Sequence, residues 1–201
     1  MPRTPAFDRA AVLDRAMAVF WSQGYEAASV QDLVAATGLL RGSLYAAFGD
    51  KRGLFEAALA HYAATVSART FAPLDAPDAD LDVVEAVFRQ LAVVDAANPA
   101  PGCLVTNTAI ERAPHDALLR DAIAQALGRL EDRLRGVLER AAADGRLRAD
   151  VTPGDAAALL VALAQGLRVL TRLGGPTSDL RPVVATAFTA LRSPPEKGSR
   201  P

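Results

Sequence analysis

SVQDLVAATGLLRGSLYAAFGDKRGL, residues Ser29–Leu54, reads as two short helices about a glycine turn, followed by the start of a third. Ser29 stands where an N-cap belongs, and Asp32 three places on reaches back toward it, which predicts a capping box. Val30, Leu33 and Val34 give the first of these helices an apolar face. Gly38 follows as a residue able to take the left-handed conformation that ends a helix. In the second helix, about Leu40 to Phe48, Leu44 and Phe48 lie four apart and anchor one face, while Arg41, Ser43 and Tyr45 point elsewhere. Asp50 caps the next helix. Lys51 then sets an ammonium beside that helix's unpaired N–H groups, a combination suited to a phosphate oxygen. The spacing is that of a helix-turn-helix, whose second helix enters the major groove of DNA.

Upstream, DRAAVLDRAMAVFWSQGYEAASV carries Leu13, Ala16, Met17 and Phe20 at helical spacing and then a Gly24-Tyr25 exit. Downstream, Gly42-Ser43-Leu44-Tyr45-Ala46-Ala47-Phe48-Gly49-Asp50-Lys51 is followed by Leu54 and Phe55. Over these N-terminal helices the chain resembles the TetR family of transcriptional regulators. The resemblance implies an all-α fold of about nine helices: a three-helix DNA-binding domain over residues 1–54, and a helical ligand-binding and dimerisation domain over 55–193. It implies that Ser29, Tyr45 and Lys51 hold phosphates, with Arg41, Gly42 and Ser43 nearest the base edges. Arg41 is the expected specific reader, since its fork pairs bidentately with guanine O6 and N7. Ala46 and Ala47 stand where relatives often carry His, Tyr or Arg, so specificity is expected to rest on few hydrogen bonds and on DNA shape.

Composition bounds the rest. Among 201 residues 51% are hydrophobic, led by Ala and Leu, which favours helices almost throughout. The net charge of −1 does not advertise nucleic acid. Residues 1–55 hold six cations (Arg3, Arg9, Arg15, Arg41, Lys51, Arg52) against five acids (Asp8, Asp14, Glu26, Asp32, Asp50), so placement must matter more than total charge. A single cysteine excludes an intramolecular disulfide framework, and with His61 and His115 as the two histidines no metal site or cofactor is expected. No signal-peptide pattern is evident and no apolar run approaches the ~20 residues of a membrane helix, so a cytoplasmic protein without membrane contact is expected.

The fourth helix is expected from Lys51 to about Thr70, ending in the Pro- and Asp-containing loop FAPLDAPDAD. A helix from Leu81 to Ala97 follows, stopped at Asn98-Pro99-Ala100-Pro101-Gly102. A short one runs from near Cys103 to Ala113, and a long amphipathic one covers residues 116–143. Thr152-Pro153-Gly154-Asp155 is a strong helix start, and the helix behind it is apolar nearly all round. The last helix covers about Asp179 to Arg192, and residues 194–201 read as a disordered tail.

Surplus apolar surface on the last two helices calls for a cover. The resemblance favours a homodimer in which they pair with their copies, through Leu159, Leu163, Leu167, Val184, Phe188 and Leu191. Two heads on one two-fold axis would read a palindromic operator in double-stranded DNA. The family's inducer pocket lies among the middle helices, where Phe88, Leu91, Cys103, Asn107, Ile110, Gln165 and Arg168 are the apolar and polar candidates for an unidentified small molecule. Cys103 at a helix N-terminus also suits a thiol sensor of oxidants or electrophiles, the alternative being a small buried hydrophobe. The expected function is a ligand-released repressor. Two others stay in view: a helical ligand-binding protein with a silent head, and an enzyme using Cys103 with His115, for which no oxyanion donor is evident. A non-enzyme is expected.

Overall fold

The computed structural model describes residues 7–93, 102–173 and 179–194. They form nine helices: α1 Arg9–Gln23, α2 Val30–Thr37, α3 Arg41–Phe48, α4 Lys51–Tyr62, α5 Leu81–Leu91, α6 Leu104–Glu111, α7 Ala117–Ala143, α8 Pro153–Leu173 and α9 Arg181–Leu191. No strand is present among the described residues beyond one isolated antiparallel bridge, Leu147 with Arg192. The expected extension of α5 to Ala97, its stop at 98–101 and the tail beyond Pro194 lie outside the described residues, but α5 itself closes at Leu91, where Ala92 N–H turns back to the Phe88 and Arg89 carbonyls.

Helix α4 does not run unbroken to Thr70. A π-helical turn, Ala63–Ser67, interrupts it before one more α turn, Ala68–Phe71, and a 3₁₀ turn, Ala72–Asp75. Pro73 in that last turn cannot continue an α-helix, and the chain leaves it extended at Ala76.

The chain forms two compact units. The first takes residues 7–69 together with 102–124, so α6 and the start of α7 pack with the N-terminal helices although they follow α5 in sequence. Its core is Val12, Leu13, Ala16, Met17 and Phe20 of α1, with Leu33, Leu44, Leu54, Phe55 and Ala58. Phe20 meets Phe55 edge-on at 5.0 Å, and Tyr25 meets Phe55 at 4.9 Å. The Trp21 indole N–H donates to the Gly102 carbonyl at 3.1 Å, which ties α1 to the turn before α6.

The second unit takes residues 70–93, 125–173 and 179–194. Val84, Val87 and Phe88 of α5, Leu134 and Leu138 of α7, Leu160, Ala164 and Leu167 of α8, and Val184, Phe188 and Leu191 of α9 share one core. Arginines close its edges: Arg192 pairs with Asp82 and Glu85, Arg146 with Asp80, and Arg133 with Asp75.

Helix α8 corrects one expectation. By length and composition it is apolar enough to cross a membrane, because Ala and Leu fill both of its faces. One face, Ala156, Ala157, Leu160, Ala164 and Leu167, is nevertheless buried in the second unit's core. The same composition therefore serves a core helix here.

Candidate nucleic-acid interface

The helix-turn-helix is built by local chemistry. Ser29 Oγ accepts the Asp32 N–H at 3.1 Å and Asp32 Oδ2 accepts the Ser29 N–H at 2.9 Å, the reciprocal pair of a capping box. The Ser29 hydroxyl also donates to Asp32 Oδ2 at 2.6 Å, and these bonds hold the Asp32 carboxyl below its ordinary pKa. Gly38 ends α2 in the left-handed region, φ 72°. Leu44 seats α3 through its buried side chain, while Phe48 is half-buried beneath the Arg9 guanidinium, 4.3 Å from the ring centroid. Between α3 and α4 the backbone passes so closely that a Cβ at Gly53 would lie 2.0 Å from the Phe48 carbonyl oxygen. Only glycine fits there.

The six residues expected to face DNA all lie in the first unit. Arg41, Gly42 and Ser43 are exposed on the first turn of α3, and Ser29 is exposed at the start of α2. Tyr45 lies one turn beyond Arg41, whose guanidinium sits 5.2 Å from its ring centroid. Lys51 is not extended toward solvent. Its ammonium donates to the Glu26 carbonyl at 3.3 Å and lies 4.5 Å from the Tyr25 ring centroid, which places this cation beside the turn that leads into Ser29. Asp50 caps α4 through Gly53 N–H at 2.8 Å.

Placement also resolves the small net charge of the head, because each acid has a structural task. Asp8 caps α1, Asp32 and Asp50 cap α2 and α4, Asp14 accepts from the His61 ring at 2.7 Å, and Glu26 pairs with Arg112. The acids thus face helix N-termini, the His61 ring and the Arg112 guanidinium.

Sequence reasoning missed a second-layer support. The Glu111 carboxylate, at the end of α6, accepts the N–H groups of Tyr25 at 3.0 Å and Glu26 at 2.8 Å. Gly24 makes this possible: its φ is 85°, and a Cβ there would lie 2.9 Å from Glu111 Oε2. Arg112 completes the clasp, its guanidinium 4.4 Å from the Tyr25 ring centroid on one side and paired to Glu26 on the other. Burial pushes the Tyr25 phenol above its ordinary pKa, against the opposing pull of Arg112. Arg52 pairs with Glu56 and with the buried Asp116, whose Oδ1 accepts the Leu119 N–H in the first turn of α7.

The expected ligand and dimer residues divide differently. Phe88 and Leu91 are buried in the second unit's core, Phe88 meeting Phe188 at 5.7 Å. Ile110 is 68% exposed at the end of α6. Cys103 and Asn107 are half-buried on α6, as are Gln165 and Arg168 on α8. Two clefts of the second unit contain none of these residues: Arg148, Asp150, Thr189 and Arg192 help line one, Asp80, Arg140, Asp144 and Arg146 the other. Of the six dimer residues, Leu167, Val184, Phe188 and Leu191 are buried within the single chain, because the α8 and α9 faces that carry them meet α5 and α7 in the core. Leu159 is 50% exposed and Leu163 half-buried.

Comparison with known proteins agrees with this architecture in both units. Residues 12–58 match the family model of bacterial regulatory proteins of the tetR family, and residues 81–187 match the tetracyclin repressor-like C-terminal domain. The chain is 35% identical over 181 residues to an uncharacterized HTH-type transcriptional regulator, YezE of Bacillus subtilis (strain 168), covering 90% of this chain and 92% of that one. It is 32% identical over 196 residues to the HTH-type transcriptional repressor ComR of Escherichia coli (strain K12), covering 96% and 92%. Among solved structures, a cysteine-substituted variant of the regulator CifR complexed with 26-bp double-strand operator DNA superposes with a TM-score of 0.79 at 36% identity, over 94% of this chain and 99% of that one. With the reading head and the C-terminal domain both matched, the chain belongs to the TetR family of DNA-binding transcriptional regulators.

Proposed function

We propose that this regulator is a cytoplasmic homodimeric repressor that holds a palindromic operator through Ser29, Arg41, Gly42, Ser43, Tyr45 and Lys51 and is released by a small molecule. In this reading residues 1–54 do the DNA binding, and the helices that follow supply assembly and ligand response. The observation that carries the dimer is the apolar surface left on α8 and α9 once the core is filled: Leu159, Val169, Leu170, Leu173 and Val183 are exposed, Leu173 at 72%. So much outward leucine and valine on two neighbouring helices needs a cover, and a second copy supplies it with the same surface. The interface is accordingly assigned to Leu159, Leu163, Leu170, Leu173 and Val183, and the four leucine, valine and phenylalanine side chains already in the core leave it.

The ligand response is supported by α6. Cys103 stands at its N-cap and Asn107 in its first half, and Glu111 and Arg112 at its end hold the turn to which Lys51 is tied. A ligand that shifts α6 changes the footing of Lys51, and the reciprocal coupling between two such sites is typically ~1–3 kcal/mol. Gln165 and Arg168 on α8 are retained as separate candidates. A thiol-responsive version of the same switch would act at Cys103, which stands at the N-cap of α6 without a side-chain capping bond.

Selection of genomic fragments by the purified protein, with sedimentation analysis of the same sample, tests this reading. A recovered palindrome bound by a dimer supports it. Leu159→Glu with Leu173→Glu should yield monomers that bind the recovered site far more weakly. A dimer unaffected by both substitutions refutes the assigned interface, and recovery of no fragment above background by a folded dimer refutes the operator.

A further inference from the structure

We propose that Leu40 is a specificity-determining residue of the DNA interface and reads a thymine through its C5 methyl group. Leu40 is the N-cap of α3, with φ −64° and ψ 149°, and its carbonyl accepts the N–H groups of Ser43 and Leu44 at 2.9 and 3.0 Å. A cap position favours Ser, Thr, Asp or Asn, whose side-chain oxygen takes an unpaired N–H of the first turn, and leucine is a poor choice there. The neighbouring helices follow that rule: Asp8, Ser29 and Asp50 cap α1, α2 and α4 through their side chains. Leu40 makes no capping bond and is 77% exposed, so neither capping nor packing in the chain accounts for it.

Its position accounts for it instead. Leu40 is continuous with Arg41, Gly42 and Ser43, the exposed first turn of the helix whose N-terminal residues contact base edges in a helix-turn-helix. On a major-groove edge the apolar group is the thymine methyl; the other features are hydrogen-bond donors and acceptors. A Cβ added at Gly42 would meet nothing within 4 Å, so the helix surface beside Leu40 is bare backbone, over which a base edge can approach closely. Arg41 then supplies a hydrogen-bonded contact and Leu40 an apolar one. This assignment also compensates for Ala46 and Ala47, which offer little hydrogen bonding to the groove.

The inference rests on the DNA-binding reading and is tested so that the two fail separately. Random duplex libraries made with dT, and with dU in place of dT, are selected with the full-length protein, and the motif recovered from the dT library is then assayed with single dT→dU replacements. Wild type should lose about fourfold in affinity at one thymine of each half-site, the value of one buried methyl group. Leu40→Ala should show no loss at that position. Leu40→Ser, which restores a capping side chain, should melt no lower than wild type and should be equally blind to the methyl group, so loss of folding does not mimic the result. A motif whose wild-type binding ignores every dT→dU change, or a Leu40→Ala protein with the same penalty as wild type, overturns the role of Leu40 and leaves DNA binding standing. No enrichment by wild type in either library overturns both.

Discussion

Replacement of Glu111 by Ala removes one carboxylate and strands two backbone donors, Tyr25 N–H at 3.0 Å and Glu26 N–H at 2.8 Å. Hydrogen bonds to a charged group contribute about 1.5–3 kcal/mol each, less where water can replace the lost acceptor. Glu26 N–H is exposed and is resolvated, whereas Tyr25 N–H is partly buried. The expected loss is therefore dominated by Tyr25, about 2 kcal/mol in all, which lowers Tm by roughly 4–8 °C in a chain of this size. Glu111→Gln keeps one carbonyl acceptor and should lose about half as much. Amide hydrogen exchange reads the site directly: protection at Tyr25 should fall by more than tenfold, the equivalent of about 1.4 kcal/mol, in Glu111→Ala while the Leu138 amide in the second unit is unchanged. If Tyr25 protection and Tm match wild type in both variants, the carboxylate does not hold the turn, and the proposed route from α6 to Lys51 is refuted with it.

Two further outcomes are expected. Lys51→Ala should weaken binding to all DNA sequences and shallow the log–log salt dependence by about one, whereas Arg41→Ala should also relax preference at one base pair; fluorescence anisotropy titrations at several salt concentrations separate the two, and unchanged affinity for both would sink the contact face. In the second unit, the Arg146 guanidinium and then the Val83 N–H hold the Asp80 carboxyl below its ordinary value of 3.8. Because the folded value is the lower one, the stabilisation is complete above the unfolded pKa and is lost as pH falls through the folded one. Asp80→Asn, which keeps the capping oxygen and removes the charge, should be destabilised at neutral pH and converge on wild type in acid denaturation; a constant difference down to the acid limit would exclude the pair as the cause.

Much of the first unit was legible because its signals are local. The capping box of Ser29 and Asp32, the left-handed Gly38 and the Asp50 cap each depend on neighbours within four residues. A carboxylate 86 residues from the amide it accepts left no such trace: Glu111 looks like any acid at the end of a helix until the fold brings it to Gly24. Lys51 begins α4 as the sequence predicts, yet its ammonium turns to the Glu26 carbonyl and the Tyr25 ring, and only tertiary contact with the turn after α1 decides that.

The sequence by itself determined an all-α chain, its helix starts and the reading head, since capping and the 3.6-residue period act along the chain. It did not determine which face of a helix looks inward when both faces are apolar. Leu159 and Leu167 are equally apolar on α8, but one is half exposed and the other buried, because α5, α7 and α9 occupy one side of that helix. Nor did it assign α6 to the same compact unit as the N-terminal helices, from which α5 separates it in the chain. Periodicity specifies how much apolar surface must be covered, and only the packing of distant segments decides what covers it.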